Sequence, residues 1–305
     1  MTVERHAIES REQWLAMRQQ DLTASDIAAV IGLDPFKSRL RVYAEKTGTI
    51  GQAEDNPAMQ RGRCFEVGVA NMLEEKYPAW VIQKNRFYYR DPEIRLGATP
   101  DFVVTAPDHP EGIHGNVQAK IVSRTAFERE WIDRKAPLKH ELQTLTEAML
   151  LNPNWSMVAA AILTEHTAEL VESPVPRHAH AEERIRQIAR DFWANIEAGR
   201  APPADYSIDR QVIEAMHPTG GAGTIDLTHN NRIGELCSER LAWQHRKTNA
   251  EGALEEVDAE IKDILGDHEF GEHPQYSISW KLQQRKETVL PATEFRVLRV
   301  SRKRP

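Results

Sequence analysis

Residues 96–122 read LGATPDFVVTAPDHPEGIHGNVQAKIV, and this stretch decides the fold. Residues 96–104 have the β-branched, apolar composition of a strand, and 116–122 that of another. In the second, Val117, Ala119 and Ile121 alternate with Gln118 and Lys120, so Gln118 and Lys120 share one face of the strand. Thr99-Pro100-Asp101 lies on the first strand and Gln118-Ala119-Lys120 follows Asp101 by seventeen residues on its neighbour. One acid facing two polar groups concentrates ligands for a hard cation. Mg²⁺ keeps several waters, so two or three protein oxygens suffice to hold it. A lysine beside such an ion can orient the attacking water and offset phosphate charge.

Outward from this pair the pattern is helical on one side and mixed on the other. Residues 12–20 form a short amphipathic helix with Trp14, Leu15 and Met17 as its apolar members. Thr23 caps a second helix, with Asp26 three residues on as its acidic partner, and Gly32 ends it. Residues 38–46 and 56–76 give two more helices, the latter carrying Phe65, Val69, Met72 and Leu73 at helical spacing. Residues 81–89 read as a strand joined to 96–104 by the Asp91-Pro92 turn. After residue 122 come helices at 126–134 and 137–151. The apolar run 157–163 reads as a strand covered on both faces, paired with 168–172 around Glu165-His166. A charged helix over 180–198 closes this part. The order predicts an α/β core with a central mixed sheet flanked by helices.

Residues 201–226, rich in Pro and Gly, read as a linker after a core of residues 1–200. Residues 227–305 read as an extension: one long helix over 231–265, then strands at 275–282 and 294–300. Leu254, Val257, Ile261 and Ile264 have heptad spacing over only two heptads, which favours an intramolecular hairpin over a long coiled coil. Residues 281–305 hold eight Lys or Arg against Glu287 and Glu294, a solvated tail or a nucleic-acid contact.

Composition bounds the function classes. A net charge of −7 argues against a protein that coats DNA in bulk, but not against a DNA enzyme whose groove is locally basic. No run of 18 apolar residues is present, so no membrane span is expected. Residues 1–9 lack the apolar stretch of a signal peptide, and Cys64 and Cys237 match no zinc or redox spacing. A cytoplasmic protein is expected.

Several blocks recur together in one family. They are Trp14-x3-Arg18-x6-Ser25, then Asn56-Pro57-Ala58-Met59-x2-Gly62-x3-Glu66, then Ala98-Thr99-Pro100-Asp101, Gln118-Ala119-Lys120 and Leu142-Gln143. Over about residues 14–150 the chain resembles the YqaJ-like viral recombinases, the lambda-exonuclease family of phage-type alkaline exonucleases within the PD-(D/E)XK nuclease superfamily. The resemblance implies a PD-(D/E)XK core and a 5′→3′ exonuclease that acts on double-stranded DNA ends and leaves 3′ single strands for recombination. It implies Asp101 and Glu66 as metal ligands with the Ala119 backbone carbonyl, and Lys120 as the catalytic lysine. Gln143 would position water or the metal ligands, and Arg18 and Ser25 would hold the 5′-phosphate. Ser25, in the first turn of a helix, also has free backbone N–H groups to offer an anion. One or two Mg²⁺ or Mn²⁺ ions, a ring-shaped homo-trimer, a RecT/Redβ-type single-strand annealing partner and a phage or prophage origin in a bacterial host cytoplasm are implied as well.

The departure is Gln118, where the family carries a carboxylate. Its carbonyl oxygen can still ligate Mg²⁺, but the site loses one negative charge. Gln118 is then native and tolerated, or a substitution that traps an uncleaved complex, or the mark of a DNA-end-binding or scaffold protein with an inactivated nuclease site. Glu141 and Glu147 are candidates to replace the acid. Glu147, four residues after Gln143 on the same helix face, is the better placed.

Overall fold

The computed structural model describes residues 2–51, 57–221, 223–284 and 297–301. They fall into two units, 1–217 and 218–305.

The first unit runs β1 (Glu4–Ala7), α1 (Arg11–Gln20), β2 (Leu22–Thr23), a 3-10 turn (Ala24–Asp26), α2 (Ile27–Val30), α3 (Arg39–Lys46) and α4 (Pro57–Lys76). It continues with β3 (Val81–Lys84), β4 (Phe87–Asp91), β5 (Leu96–Ala98), β6 (Phe102–Thr105), β7 (His114–Ser123) and α5 (Arg124–Glu130). Then come α6 (Leu138–Leu151), β8 (Trp155–Leu163), β9 (Ala168–Pro174), α7 (Ala179–Glu197) and α8 (Arg210–Met216). Caps set several of these ends. Ser10 accepts from the Gln13 N–H to start α1, Ser38 accepts from Arg41 to start α3, and Asn152 ends α6 in a left-handed conformation.

Five strands form the central sheet in the order β3-β6-β7-β8-β9. All neighbours are antiparallel except β7 and β8, which run parallel with Gln118 opposite Val158. The mixed sheet expected from the sequence is therefore present. Strand β8 is covered on both faces, as its apolar run requires. Val158, Ala160 and Ile162 join a core with Leu145 and Met149 of α6 and Ile185 and Phe192 of α7, while Met157, Ala159 and Ala161 pack with Val69 and Leu73 of α4. Strand β7 divides differently. Val117 and Ala119 enter the α4-side core, which turns Asn116, Gln118 and Lys120 toward α6.

The two strands expected over 81–89 and 96–104 are each broken in two. Asn85-Arg86 interrupts the first and Thr99-Pro100-Asp101 the second, and beyond the breaks β4 and β5 enter a separate sheet ordered β1-β4-β5-β2. The proline causes the second break, since it has no N–H to give a ladder. Asp101 consequently sits between strands rather than within one. The breaks stay in step, because the Asn85 N–H donates to the Asp101 carbonyl at 3.0 Å.

The segment read as a linker is partly built into the first unit: α8 buries Val212 against Leu40 and Ala44 of α3. In the second unit, α9 (Asn231–Leu265) starts at the Asn230 cap and runs unbroken to Gly266. It is followed by the hairpin β10 (Phe270–His273) and β11 (Tyr276–Ser279). The expected hairpin packing of the heptad stripe is not found, for Leu254, Val257 and Ile264 are exposed. The strand expected at 275–282 is the shorter β11, and residues 297–300 are not a strand. Residues 285–296, and with them the first three residues of the other expected strand, lie outside the described residues, as does Asn56. No described helix is long and apolar enough to cross a membrane.

Gly97 tests how tightly β4 and β5 are joined. A methyl group there would fall 1.9 Å from the Tyr88 hydroxyl, and Tyr88 is fully buried. Gly97→Ala should lower unfolding free energy by about 1–3 kcal/mol or more in urea titration. Gly62→Ala, with open space around it, should cost far less.

Candidate active site

Past the Phe102–Val117 pair, β6 no longer covers the edge of β7. The Asp101 side chain takes its place. Asp101 Oδ2 accepts from the Ala119 N–H at 2.9 Å and from the Gln118 side-chain amide. Gln118 is buried at 3 % exposure, and its Oε1 has no hydrogen-bond partner. That carbonyl oxygen lies on the carboxamide that touches Asp101, and its chemistry fits a ligand for a hard cation.

Three more side chains continue the line. Lys120 Nζ donates to Gln143 Oε1 at 3.2 Å, and Gln143 Nε2 donates to Glu147 Oε1 at 3.0 Å. Asn116 Nδ2 reaches the other Glu147 oxygen at 3.4 Å. The structure thus brings Asp101, Gln118, Lys120 and Gln143 together and adds Asn116, which shares their face of β7 by the same period-two rule. Glu66, on α4, is ion-paired with Lys84 of β3 at 3.0 Å, and its charge acts on Asp101. Glu147 is the acid within this line, while Glu141 is only partly buried.

Burial governs the titration of these groups. Desolvation raises Asp101 to about 6, against the pull of Lys120, and the Glu66 charge pushes the same way. Glu147 is also raised well above the carboxylate range, by its burial first and then by the charge of Asp101. His140, buried beside Lys120 and Lys139, is pushed down to about 2 and stays neutral. Two carboxyl groups that resist ionisation in each other's presence are what an added cation relieves. Asp101, Glu66, the Gln118 oxygen and the Ala119 carbonyl are the groups that could hold one. Among the described residues no three His, Cys, Asp or Glu side chains form a metal cage.

A second cluster adjoins the first. Arg18 donates to Ser25 Oγ at 3.2 Å and lies over the Trp14 ring at 4.7 Å. The Trp14 indole N–H donates to Thr99 Oγ1 at 3.0 Å, two residues from Asp101. Ser25 is the one exposed residue in the run from Asp21 to Val30. Its support is ionic: Asp26 takes Lys37 at 2.9 Å and Lys46 at 3.0 Å, and Lys37 also meets Glu45 at 2.6 Å. Burial alone would raise Asp26, but Lys37, Lys46 and Arg18 overcome it and hold the carboxyl well below its usual range. The sequence expectation of a helix start at Ser25 needs adjusting. The 3-10 turn and α2 together span only seven residues, so their dipole is small. Positive charge at this point comes from Arg18 instead. The Lys37 and Lys46 part of the cluster left no readable signal, because its partners lie up to twenty residues apart in segments with no shared period.

Residues 13–150 match the YqaJ-like viral recombinase domain. The uncharacterized protein YqaJ of Bacillus subtilis (strain 168) is 24 % identical over 277 residues, covering 89 % of this chain and 83 % of that protein. Among solved structures, the alkaline exonuclease LHK-Exo from Laribacter hongkongensis superposes with a TM-score of 0.50 at 22 % identity, over 66 % of this chain and 98 % of that one. Its complex with dAMP gives 0.51 at the same identity and coverage. The likeness is one of fold: the mixed α/β arrangement of this chain is shared with that alkaline exonuclease.

The raised carboxyl groups give a signed prediction for the metal-free protein. An acid whose pKa is raised by folding binds its proton more tightly in the native state. Stability is then full below the ordinary carboxylate pKa and falls as pH climbs to the raised value. Glu147→Gln, neutral at every pH, escapes this loss. Its melting temperature should match the parent at pH 5 and exceed it by about 5 °C or more at pH 9, given about 2–4 °C per kcal/mol. Equal melting at both values would show that Glu147 ionises freely in the fold.

Proposed function

We propose that this chain, whose residues 13–150 match the YqaJ-like viral recombinase domain and whose fold is similar to that of an alkaline exonuclease, is a metal-dependent 5′→3′ exonuclease acting on double-stranded DNA ends. The observation that carries the reading is the hydrogen-bonded line from Asp101 through Gln118 and from Lys120 through Gln143, linked by Trp14 and Thr99 to the Arg18–Ser25 pair. A Mg²⁺ or Mn²⁺ ion held by Asp101, Glu66, the Gln118 carbonyl and the Ala119 carbonyl would polarise the scissile phosphate and activate water. Lys120, its ammonium aimed by Gln143, offsets charge that grows on the phosphate. Arg18 and the Ser25 hydroxyl present donors to a terminal phosphate, a group that matters to an enzyme that starts from ends. Shortening the 5′ strand exposes a 3′ single strand, the form that a RecT/Redβ-type annealing protein takes up. A ring-shaped homo-oligomer would keep the duplex threaded through the subunits.

A second reading has its own support. Gln118 removes one formal charge from the site, which suits a protein that holds DNA ends without cutting them.

Duplex DNA with a labelled 5′-phosphorylated end separates the two. The exonuclease reading expects progressive shortening with Mg²⁺ or Mn²⁺, reduced about 100-fold or more by Lys120→Ala. Arg18→Ala should slow 5′-phosphorylated ends more than 5′-hydroxyl ends. Gln118→Glu should raise metal affinity and activity. End binding that persists in chelator and in Asp101→Ala, with no shortening by the parent or by Gln118→Glu, would establish the binding protein instead.

A further inference from the structure

Glu147 is one of the most deeply buried charged side chains, at 1 % exposure, and the proposed reaction does not use it. It sits on α6 one turn beyond Gln143 and touches two carboxamides, one on its own helix and one on β7. A carboxamide has two ends that differ chemically, a donor NH₂ and an acceptor C=O, and packing alone scarcely tells them apart. An ionised carboxylate can only accept. Once ionised, as in alkali, Glu147 therefore fixes both neighbours: the NH₂ of Gln143 and that of Asn116 must turn toward it. The carbonyl oxygen of Gln143 is then left facing Lys120 Nζ, which has only donors to offer. The price of this polarity is visible at Asn116, whose Oδ1 is buried with no partner.

We propose that Glu147 is a positioning residue for the reaction: its carboxylate sets the orientation of the Gln143 carboxamide, and through it the placement of the Lys120 ammonium. The proposal rests on the exonuclease reading for its kinetic consequence, but not for its structural one. An apolar residue in that place would pack against the same core while leaving the Gln143 NH₂ without its acceptor, so that the Lys120 contact alone holds the carboxamide. A glutamine would keep the shape but offer an acceptor to one neighbour and a donor to the other, so that Gln143 and Asn116 are no longer both fixed.

Two measurements at pH 9 test it, in alkali so that the buried carboxyl is ionised. The first uses side-chain amide ¹H–¹⁵N resonances of the metal-free protein. Those of Gln143 and Asn116 should be sharp and slow to exchange in the parent. Both should shift and exchange at least 10-fold faster in Glu147→Leu, and show two forms in Glu147→Gln. Resonances unchanged in both variants overturn the proposal, whether or not the protein cuts DNA. The second measurement is kinetic. Glu147→Gln should lower kcat about 10-fold with KM within twofold, and Glu147→Asp should restore part of the loss. Gln143→Ala and the double variant Gln143→Ala/Glu147→Gln should be equally slow, because the two residues act in series. Losses that multiply in the double variant, or a kcat unchanged by Glu147→Gln, also overturn it. If the parent cuts no DNA under any condition, the exonuclease reading falls and the resonances alone decide the role of Glu147.

Discussion

The acceptance of the Ala119 N–H by the Asp101 carboxylate is the bond around which the first unit is arranged. Strand β6 stops pairing with β7 at Val117, which would leave a backbone donor in a half-buried edge with nothing to meet it. The side chain that completes the edge is supplied from the break made by Pro100. One residue therefore ends a strand, closes the ladder of its neighbour and presents a carboxylate to the α6 side. The bond also fixes where the chemistry can be. Residues 116, 118 and 120 face α6 because 117 and 119 are claimed by the core under α4. A shift of register by one residue would turn all three inward and empty the site.

The same arrangement concentrates acids where water is scarce. Asp101 and Glu147 both resist losing their protons, whereas Asp26, buried as fully as Glu147, is held ionised by two lysines. The contrast lies in the partners. Asp26 is a completed ionic structure, and the breaking of such a group by removal of one member is costly. The carboxyls near Lys120 have less positive charge around them, which fits the proposed uptake of a cation. Gln118 moderates this shortage by contributing an oxygen without a charge.

Much of this was legible in the sequence, for identifiable reasons. The alternation in residues 116–122 gave the face shared by Gln118 and Lys120, and the all-apolar run at 157–163 gave a strand buried on both sides. Asn116 was available from the same alternation, two residues earlier, and only its partner on α6 revealed its use. The breaks at Asn85 and at Thr99–Asp101 were harder to read. Each is only two or three residues long within a stretch that otherwise reads as one strand, and the transfer of β4 and β5 to a second sheet depends on β1 and β2, which are too short to carry a pattern. The long α9 was legible from its caps and composition, but its apolar stripe gave no indication that its own unit would leave it bare.

The bond from the Trp14 indole to Thr99 joins two places that differ in kind. On the proposed function, one end is a pair of groups suited to the terminus of a strand, and the other holds the residues that would meet an interior phosphate. A rigid ring between them acts as a gauge. On the end-directed reading, the length of the released piece is set by the spacing of two fixed points in the protein and owes nothing to base identity, so every step along the DNA has the same stride.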